Sequence, residues 1–572
     1  MADGSPGTAT LPARGGPAVW RPSDRFLARA AVLTAALTAA GALLGLVRDQ
    51  LLAVTFGAGD STDAFLVAWT VPEFAATLLI EDAMALLLVP AFSAALARRA
   101  EGARPDPVRA LVRATLPGAV LAAAAGAGLL ALAAPRLVPL LAPGLPRQEL
   151  AVDCTRLTAT CVLSFALAGY FSAALRAHGR FAAPAAIYLA YNTGIIAAVV
   201  LLGPARGVRA AALGVAAGGV LMAAVQAPAL WRRLVAGRAR PAGRAPGAGR
   251  AARRVRPAGR VADAGRAARR GLVVALIAPV VVFSAGRQSQ VLVERFLAAP
   301  LPAGAISHLN YAQKVAQLPM ALSLMLCTVS FPVVARALAA GDPHTARRRA
   351  ERDLLLAAAL VLAGAATVVA AAPQIVELLF QRGAFDRADT AATAAVMRVY
   401  ALGLLGQTLV GALVRCWFSG SRPLWYPAVA MVCGVAASGG AGALLAGPWG
   451  TAGIAAANAL GITLTAGLLL GGVHRQRVPL AAGQLARGLG RLAAAAVPAT
   501  AAGWACAAGR PPLLAVPLAL AAVTVTFLAA ACALRAPVVP SLIRTAARRL
   551  AHGSPQHPPL GGDVPLDRRH DG

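Results

Sequence analysis

The chain has 572 residues, of which 58% are hydrophobic and 13% charged, and its mean hydropathy is +0.67. A soluble core cannot bury that much apolar surface, so the composition excludes a soluble globular protein and indicates a polytopic membrane protein. The formal net charge of +31 does not make nucleic acid an expected partner. The arginines lie in gaps between apolar stretches, where the positive-inside rule accounts for them.

Fourteen apolar stretches are long enough to cross a bilayer as helices. They lie at residues 28–55, 61–97, 108–134, 148–176, 181–203, 208–231, 271–297, 303–338, 352–374, 388–418, 424–446, 450–473, 488–508 and 512–534. The sequence therefore predicts an all-α polytopic membrane protein with about fourteen transmembrane helices. An even number of spans places both termini on the same side of the membrane.

Arginines are concentrated in every second gap between these spans. They are frequent in residues 98–113 and 336–352, and scarce in residues 57–62 and 447–451. Because cytoplasmic loops carry the excess of Lys and Arg, the arginine-rich gaps and both termini are predicted to be cytoplasmic.

The longest hydrophilic stretch divides the spans into six before it and eight after it. The predicted organisation is a disordered cytoplasmic N-terminus (1–27), an N-terminal lobe (28–231), an arginine-rich linker (232–270), a C-terminal region (271–535) and a disordered cytoplasmic tail (536–572). The linker is interpreted as a solvated segment that also touches anionic headgroups, with a regulatory docking segment as the alternative.

Motifs of soluble enzymes are absent from the sequence. It contains no Walker loop, no HExxH and no GxSxG in a strand–turn–helix setting, so an enzyme and ATP-driven transport by this chain alone are not predicted. The seven cysteines lie in or beside apolar spans without metal-ligand spacing and are interpreted as small buried residues.

Charged residues inside the spans are the candidate functional residues, because an ion in hydrocarbon is costly unless it faces a cavity. Arg48 and Asp49 lie in span one, with local pairing or snorkelling near the outer face as the alternative. In span two the sequence places an acidic stripe on one helix face, which is predicted to face a cavity. This stripe consists of Glu73, Thr77 and Glu81, with Asp82 beside it and Pro72 as a kink.

Spans seven and eight carry a second polar group. Arg287, Gln290 and Glu294 are spaced to share one helix face, for either a substrate or a helix-to-helix hydrogen bond. Lys314 in span eight is near enough to an end to snorkel. Together, spans one, two, seven and eight are predicted to border a hydrophilic cavity, in which Arg or Lys would hold a phosphate.

Several separated motifs resemble those of the MurJ/MviN family. They are residues 45–49 (Gly-Leu-Val-Arg-Asp), 56–59, 62–65, 310–312, 317–319, 331–332 and 379–385 (Leu-Phe-Gln-Arg-Gly-Ala-Phe). The resemblance covers about residues 28–535. It implies two lobes of helices around a central hydrophilic cavity, and a flippase of the multidrug/oligosaccharidyl-lipid/polysaccharide exporter superfamily that moves lipid II to the outer leaflet of a bacterial cytoplasmic membrane.

The resemblance also assigns residues to the cavity. Arg48, followed by Asp49, matches the family's arginine of span one, and Lys314 takes the place of an arginine in span eight. Two other family arginines are replaced, by Ala42 and Ala76. Glu81 matches a family glutamate, whereas Asp82, Glu73 and Arg287 are departures. The predicted substrate-binding residues are thus Arg48, Asp49, Glu73, Glu81, Asp82, Arg287, Gln290 and Lys314.

The leading hypothesis is a flippase of a lipid-linked saccharide, with lipid II as the first candidate, working by alternating access. The alternatives are a specialised paralogue that exports another lipid-linked glycan or amphiphile, and a transport-inactive scaffold for envelope synthesis. The expected partners are membrane lipids, the lipid-linked substrate and, for the scaffold, envelope-synthesis proteins. No cofactor is expected, and transport is expected to be coupled to the membrane potential or to an ion gradient.

Overall fold

The computed structural model describes residues 24–537, apart from residues 78, 81–83, 102, 104, 237–258, 325–341, 419–423 and 473–479. The regular elements in this part of the chain are helices, and no β-strand occurs among the described residues. A chain that crosses hydrocarbon must pair its own backbone N–H and C=O groups, which is why apolar segments of this length fold as helices.

The chain up to residue 236 forms a first set of helices. They are α1 (Asp24–Phe56), α2 (Asp60–Ala76), α3 (Met84–Ala100), α4 (Pro107–Leu141), α5 (Gln148–Ala159), α6 (Cys161–Ala177), α7 (Ala182–Ala185), α8 (Ile187–Arg206) and α9 (Arg209–Ala236). These helices form the N-lobe. After α2, residues 77, 79 and 80 continue in a wider, π-helical turn.

The chain from residue 259 forms a second set, the C-lobe. Its helices are α10 (Gly259–Ala298), α11 (Ala305–Ala316), α12 (Pro343–Ala370), α13 (Ala372–Phe380), α14 (Arg387–Phe418), α15 (Tyr426–Gly471), α16 (Ala482–Ala507) and α17 (Pro512–Ala533). Residues 318–324 are also helical. Most of the predicted linker lies outside the described residues, and α9 and α10 extend into its two ends.

Two helices begin with the same Asp-Pro pair. At the start of α4 the Asp106 carboxylate accepts a hydrogen bond from Val108 N (3.0 Å), and at the start of α12 Asp342 accepts one from Thr345 N (2.9 Å). An N-cap aspartate followed by proline is a strong helix start, because it pairs a free N–H group and fixes φ. The hydrogen bonds from Thr345 favour the ionised form of Asp342 and lower the pKa of its carboxyl.

The predicted membrane-spanning architecture is confirmed. Nine helices among the described residues are long and apolar enough to cross a membrane, and two predicted spans are joined in one of them, α15. That helix turns sharply at Gly450, whose φ of 54° is readily adopted only by glycine, between the predicted spans eleven and twelve. Three of the remaining predicted spans coincide with α2–α3, α10 and α16. Span eight begins with α11 and residues 318–324, and its predicted second part lies outside the described residues.

Each lobe packs mainly on itself. In the N-lobe α8 lies against α9 and α1, and α2 lies against α5; in the C-lobe α15 lies against α10 and α14, and α16 lies against α12 and α17. The lobes meet where α2 contacts α10 and α11. This interface is where the polar side chains of the membrane-spanning helices collect.

Candidate functional site

A hydrophilic cavity of about 380 Å³ lies where α2, α10, α11 and α14 meet. Its wall is rich in side-chain amides, which both donate and accept hydrogen bonds. These amides belong to Gln288, Gln290, Asn310, Gln313, Gln317 and Gln407. The charged side chains of the wall, as far as the structure describes it, are Arg287, Arg295, Lys314, Arg415 and Glu73. The cavity therefore suits a ligand that combines anionic groups with hydrogen-bonding groups.

Two predicted cations meet at one buried carboxylate beside this cavity. Arg48 Nη2 lies 2.7 Å from Asp49 Oδ1, and Lys314 Nζ lies 3.7 Å from the same oxygen. Arg48 Nη1 also donates to Asn192 Oδ1 of α8 at 2.8 Å. The local pairing of Arg48 with Asp49, which was the alternative interpretation, is thus present, and it extends to a lysine on the other lobe.

An aromatic ring holds the same two cations. The Arg48 guanidinium carbon lies 4.5 Å from the centroid of a Trp69 ring, and Lys314 Nζ lies 4.3 Å from it. Trp69 is buried, and its Nε1 donates to Tyr191 Oη at 2.9 Å. Cations placed over an indole face are attracted by its quadrupole. Arg48, Asp49, Trp69 and Lys314 form what we call the Trp69 cluster, which joins α1 and α2 to α11.

Span two is only partly described. Glu73 is exposed to the cavity, and Thr77, one turn later, receives a hydrogen bond of 3.1 Å from Gln288 Nε2 of α10. The other two predicted acids of this span, Glu81 and Asp82, lie outside the described residues. The α-helical spacing from which the stripe was predicted does not continue past Ala76, because the chain widens into the π-helical turn.

In span seven Arg287 and Gln290 both line the cavity. Glu294 does not line the cavity. Its buried carboxylate accepts a hydrogen bond from Asn458 Nδ2 of α15, which is the helix-to-helix role that was the alternative for this face. The face of α10 that lines the cavity is centred on Arg287, Val291 and Arg295. Glu294 lies beside this face, on the side of α10 that packs against α15. Arg287 and Glu73 line the same cavity without forming an ion pair with each other.

Two cations of the cavity wall were missed by the sequence analysis. Arg295 is 3% exposed and donates to Ile306 O (3.0 Å) and to Asn310 Oδ1 (3.1 Å). It lies inside the predicted span seven, so the rule that intramembrane charges mark functional sites should have found it. Arg415 lies near the end of span ten, where snorkelling is the simpler expectation.

The lobes also touch at one end of the bundle, which we call the closed end. There Ala384 N donates to Val54 O at 2.9 Å. The Asp63 carboxylate, at the start of α2, accepts hydrogen bonds from Gly304 N (2.9 Å), Ser307 N (2.8 Å) and Ser307 Oγ (2.5 Å) at the start of α11. A carboxylate at a helix N-terminus is favoured by the free N–H groups and the helix dipole. Asp63 therefore binds one lobe to the other.

Comparison with known sequences gives one family. The family described as "Lipid II flippase MurJ" matches residues 52–530. A lipid II flippase MurJ of Burkholderia cenocepacia is 27% identical over 404 residues, which cover 69% of this chain and 73% of that protein. A probable lipid II flippase MurJ of Vibrio cholerae is 25% identical over 476 residues, which cover 80% of this chain and 84% of that protein.

Comparison with solved structures gives the same fold. A lipid II flippase MurJ in an inward closed conformation superposes with a TM-score of 0.69, covering 91% of this chain and 100% of that one, at 16% sequence identity. An inward-facing multidrug resistance transporter of the MATE family and MOP superfamily gives a TM-score of 0.57, covering 80% and 99%, at 14% identity. At such identities the structural likeness concerns the fold.

Proposed function

This chain belongs to the lipid II flippase MurJ family, as its motifs predicted, and we propose that it carries lipid II from the inner to the outer leaflet of a bacterial cytoplasmic membrane. It is a membrane transporter and not an enzyme. The two lobes enclose one cavity and touch at one end, which is the arrangement that alternating access requires. The relatives named above are described as a lipid II flippase and a probable lipid II flippase, and this favours lipid II over the other lipid-linked substrates.

The observation that carries the proposal is the cation excess of the central cavity. A lipid-linked saccharide presents a phosphate-bearing head, and guanidinium and ammonium groups bind such oxygens by charge-assisted hydrogen bonds. We assign Lys314 and Arg287 to this contact, since both line the cavity and belong to different helices. The amide side chains of the same wall supply donors and acceptors for a saccharide head.

Of the two cations paired with Asp49, Lys314 is the one that a substrate phosphate can more easily draw away from this carboxylate. Its Nζ lies 3.7 Å from Asp49 Oδ1, whereas Arg48 approaches the same oxygen to 2.7 Å. An incoming phosphate therefore competes with Asp49 for Lys314 and leaves the tighter Arg48–Asp49 pair in place. In this proposal Arg48 positions Asp49 and, through it, Lys314.

We further propose that the closed end faces the outside of the cell. The arginine-rich gaps lie at the opposite end, so the cavity is loaded from the cytoplasmic leaflet. A single cysteine at Gly450 should then react with a membrane-impermeant maleimide in intact cells, and one at Gly247 only after permeabilisation. Labelling of position 247 from outside would reverse this orientation.

The energy source is part of the same proposal. Cations that move within the cavity during a change of access also move in the membrane field. One charge that crosses the whole membrane changes its energy by about 2.3 kcal/mol per 100 mV, and a shorter movement changes it by a fraction of that. We therefore expect the transport rate to depend on the membrane potential or on an ion gradient. Among the residues that the structure describes, no group of three or more His, Cys, Asp or Glu side chains is placed to hold a metal ion.

Rescue of depleted cells tests the proposed function. Cells depleted of every other member of the family should grow without lysis when they express this chain, but not when they express Lys314→Ala. A matched control is Arg209→Ala, which breaks an exposed pair with Asp153 (2.7 Å) away from the cavity and should rescue fully. Full rescue by Lys314→Ala at equal membrane abundance would contradict the role assigned to Lys314. Failure of the unaltered chain to rescue, although it is present in the membrane, would favour the scaffold and contradict the transport proposal.

A further inference from the structure

A second large cavity lies on the C-lobe, away from the cavity between the lobes. It is a groove of about 700 Å³ between α12, α14 and α16, and its walls are almost entirely alanine, leucine and valine. Leu402 and Val497 on its rim are each 70% exposed, which identifies this face as one turned toward lipid. The proposed transport of lipid II makes no use of this groove.

A single cation stands at one end of the groove. Arg398 of α14 is half-buried in the groove wall, and its Nε donates to Val369 O of α12 at 3.2 Å. This main-chain oxygen is its only hydrogen-bond partner among the described residues, and it forms no ion pair with a described Asp or Glu. A guanidinium within a membrane-spanning segment is costly without an anion, so the groove has a place for one.

Arg398 lies level with the last turns of α12 and α16. Gly503 of α16 packs closely on Ala370, because a methyl group at position 503 would come within 3.1 Å of the Ala370 Cβ. Ala370 follows Val369, the partner of Arg398, and Gly503 lies four residues, or about 6 Å, before the end of α16. Arg398 is therefore about one helical turn from the end of the α12–α16 pair, while its own helix α14 begins eleven residues, or about 16 Å, before it.

The remaining wall fits a hydrocarbon chain. Trp504, which is 61% exposed, stands in the last turn of α16, the position typical of interfacial aromatic residues. From Trp504 the groove continues along α16 to Ala493, eleven residues or about 16 Å deeper, between apolar side chains. One polar end beside Arg398 and a long apolar wall beyond it match a lipid, which has an anionic head and a hydrocarbon chain.

We propose that this groove binds an anionic phospholipid of the membrane, with its phosphate on Arg398 and one acyl chain between α12, α14 and α16. The charge of Arg398 selects an anionic lipid over a zwitterionic one. The planar guanidinium, already fixed by Val369, keeps both terminal NH2 groups for a phosphate, which it binds bidentately. This inference is independent of the substrate in the central cavity.

Native mass spectrometry of the full-length protein in detergent, titrated with phosphatidylglycerol or phosphatidylcholine, tests the proposal. We expect the first phosphatidylglycerol to bind at least about tenfold more weakly to Arg398→Gln, the loss of one charge-assisted contact. Val497→Trp, which fills the groove and keeps the cation, should weaken it as well. The matched control is Arg382→Gln, which also removes one main-chain hydrogen bond of 3.2 Å but lies outside the groove.

The outcomes separate the occupants. Weaker phosphatidylglycerol binding in both groove variants, with the control unchanged, supports the proposal. Equal phosphatidylglycerol binding in the unaltered protein and in Arg398→Gln overturns it, and so does equal binding of phosphatidylcholine. If a polyprenyl diphosphate occupies the groove and excludes phosphatidylglycerol, the groove belongs to the chain of the substrate, and the phospholipid assignment is wrong.

Discussion

Removal of the Asp63 carboxylate should open the closed end of the bundle. Asp63 accepts three hydrogen bonds from the start of α11, the shortest being 2.5 Å from Ser307 Oγ. These contacts join the two lobes, and they must break when the lobes separate at this end. The Asp63→Ala variant removes all three hydrogen bonds from the closed state. In the open state water hydrates the carboxylate, so its removal costs that state much less.

The magnitude follows from the charge of the acceptor. A hydrogen bond to an ionised group contributes about 1.5–3 kcal/mol, and three bonds that share one carboxylate are not additive. We take the free energy of one such hydrogen bond as the lower bound for the contribution of Asp63 to the stability of the closed state. The open population should then rise by about ten- to a hundredfold, since 1.4 kcal/mol corresponds to a factor of ten.

Cysteine labelling measures this population. Gln313 lines the cavity. In a background without native cysteines, Gln313→Cys should react with a membrane-impermeant maleimide in intact cells much faster when Asp63 is Ala. The control is Asp60→Ala, in the same first turn of α2, which has no hydrogen-bond contact with α11 among the described residues. Equal labelling with Asp63 present or absent would refute the role of this residue in closure.

The remaining predictions concern the cations and their neighbours, each measured as the amount of lipid II accessible in the outer leaflet at equal membrane abundance. Arg48→Ala should reduce transport at least about tenfold, because the buried Asp49 is then left with a single, more distant cation. Arg48→Lys should keep part of the transport activity. Normal transport in Arg48→Ala would show that the Arg48–Asp49 pair has only a local role. Arg287→Ala should be nearly as damaging. It should be rescued in part by Ala76→Arg, which returns a cation to the position of α2 where the family resemblance places one. Rescue by Glu73→Gln alone would mean that Arg287 only neutralises an acid. Trp69→Leu should slow transport several-fold through the loss of two cation–π contacts of about 0.5–2 kcal/mol each. An unchanged transport rate would show that the Trp69 indole has no role in transport.

The architecture could be predicted from the sequence because it rests on one physical constraint. A membrane-spanning helix needs about twenty apolar residues, and the polar gaps in this sequence separate apolar stretches that are at least that long. The sharp turn at Gly450 was predicted as a gap between two spans for the same reason. What the sequence could not show is the π-helical turn after Ala76, since the residues from Thr77 to Ile80 continue an ordinary apolar helical pattern.

The candidate site was predictable in its residue types but not in its contacts. Arg48, Asp49 and Lys314 stand out as charges inside apolar spans, yet their common neighbour Trp69 is an ordinary apolar residue of span two in the sequence. The partner of Arg48 at Asn192 is 144 residues away, and no local spacing predicts such a contact. Arg398 carries the same intramembrane signal as Arg48, but only the packing of three helices shows the groove around it.

The central claim is that this chain itself moves lipid II across the membrane. The most direct measurement is the amount of lipid II accessible to a reagent that cannot cross the membrane, in cells depleted of every other member of the family. We predict that the unaltered chain restores accessible lipid II and that Lys314→Ala at equal abundance does not. Lipid II that stays inaccessible while the unaltered chain is present in the membrane would contradict the account.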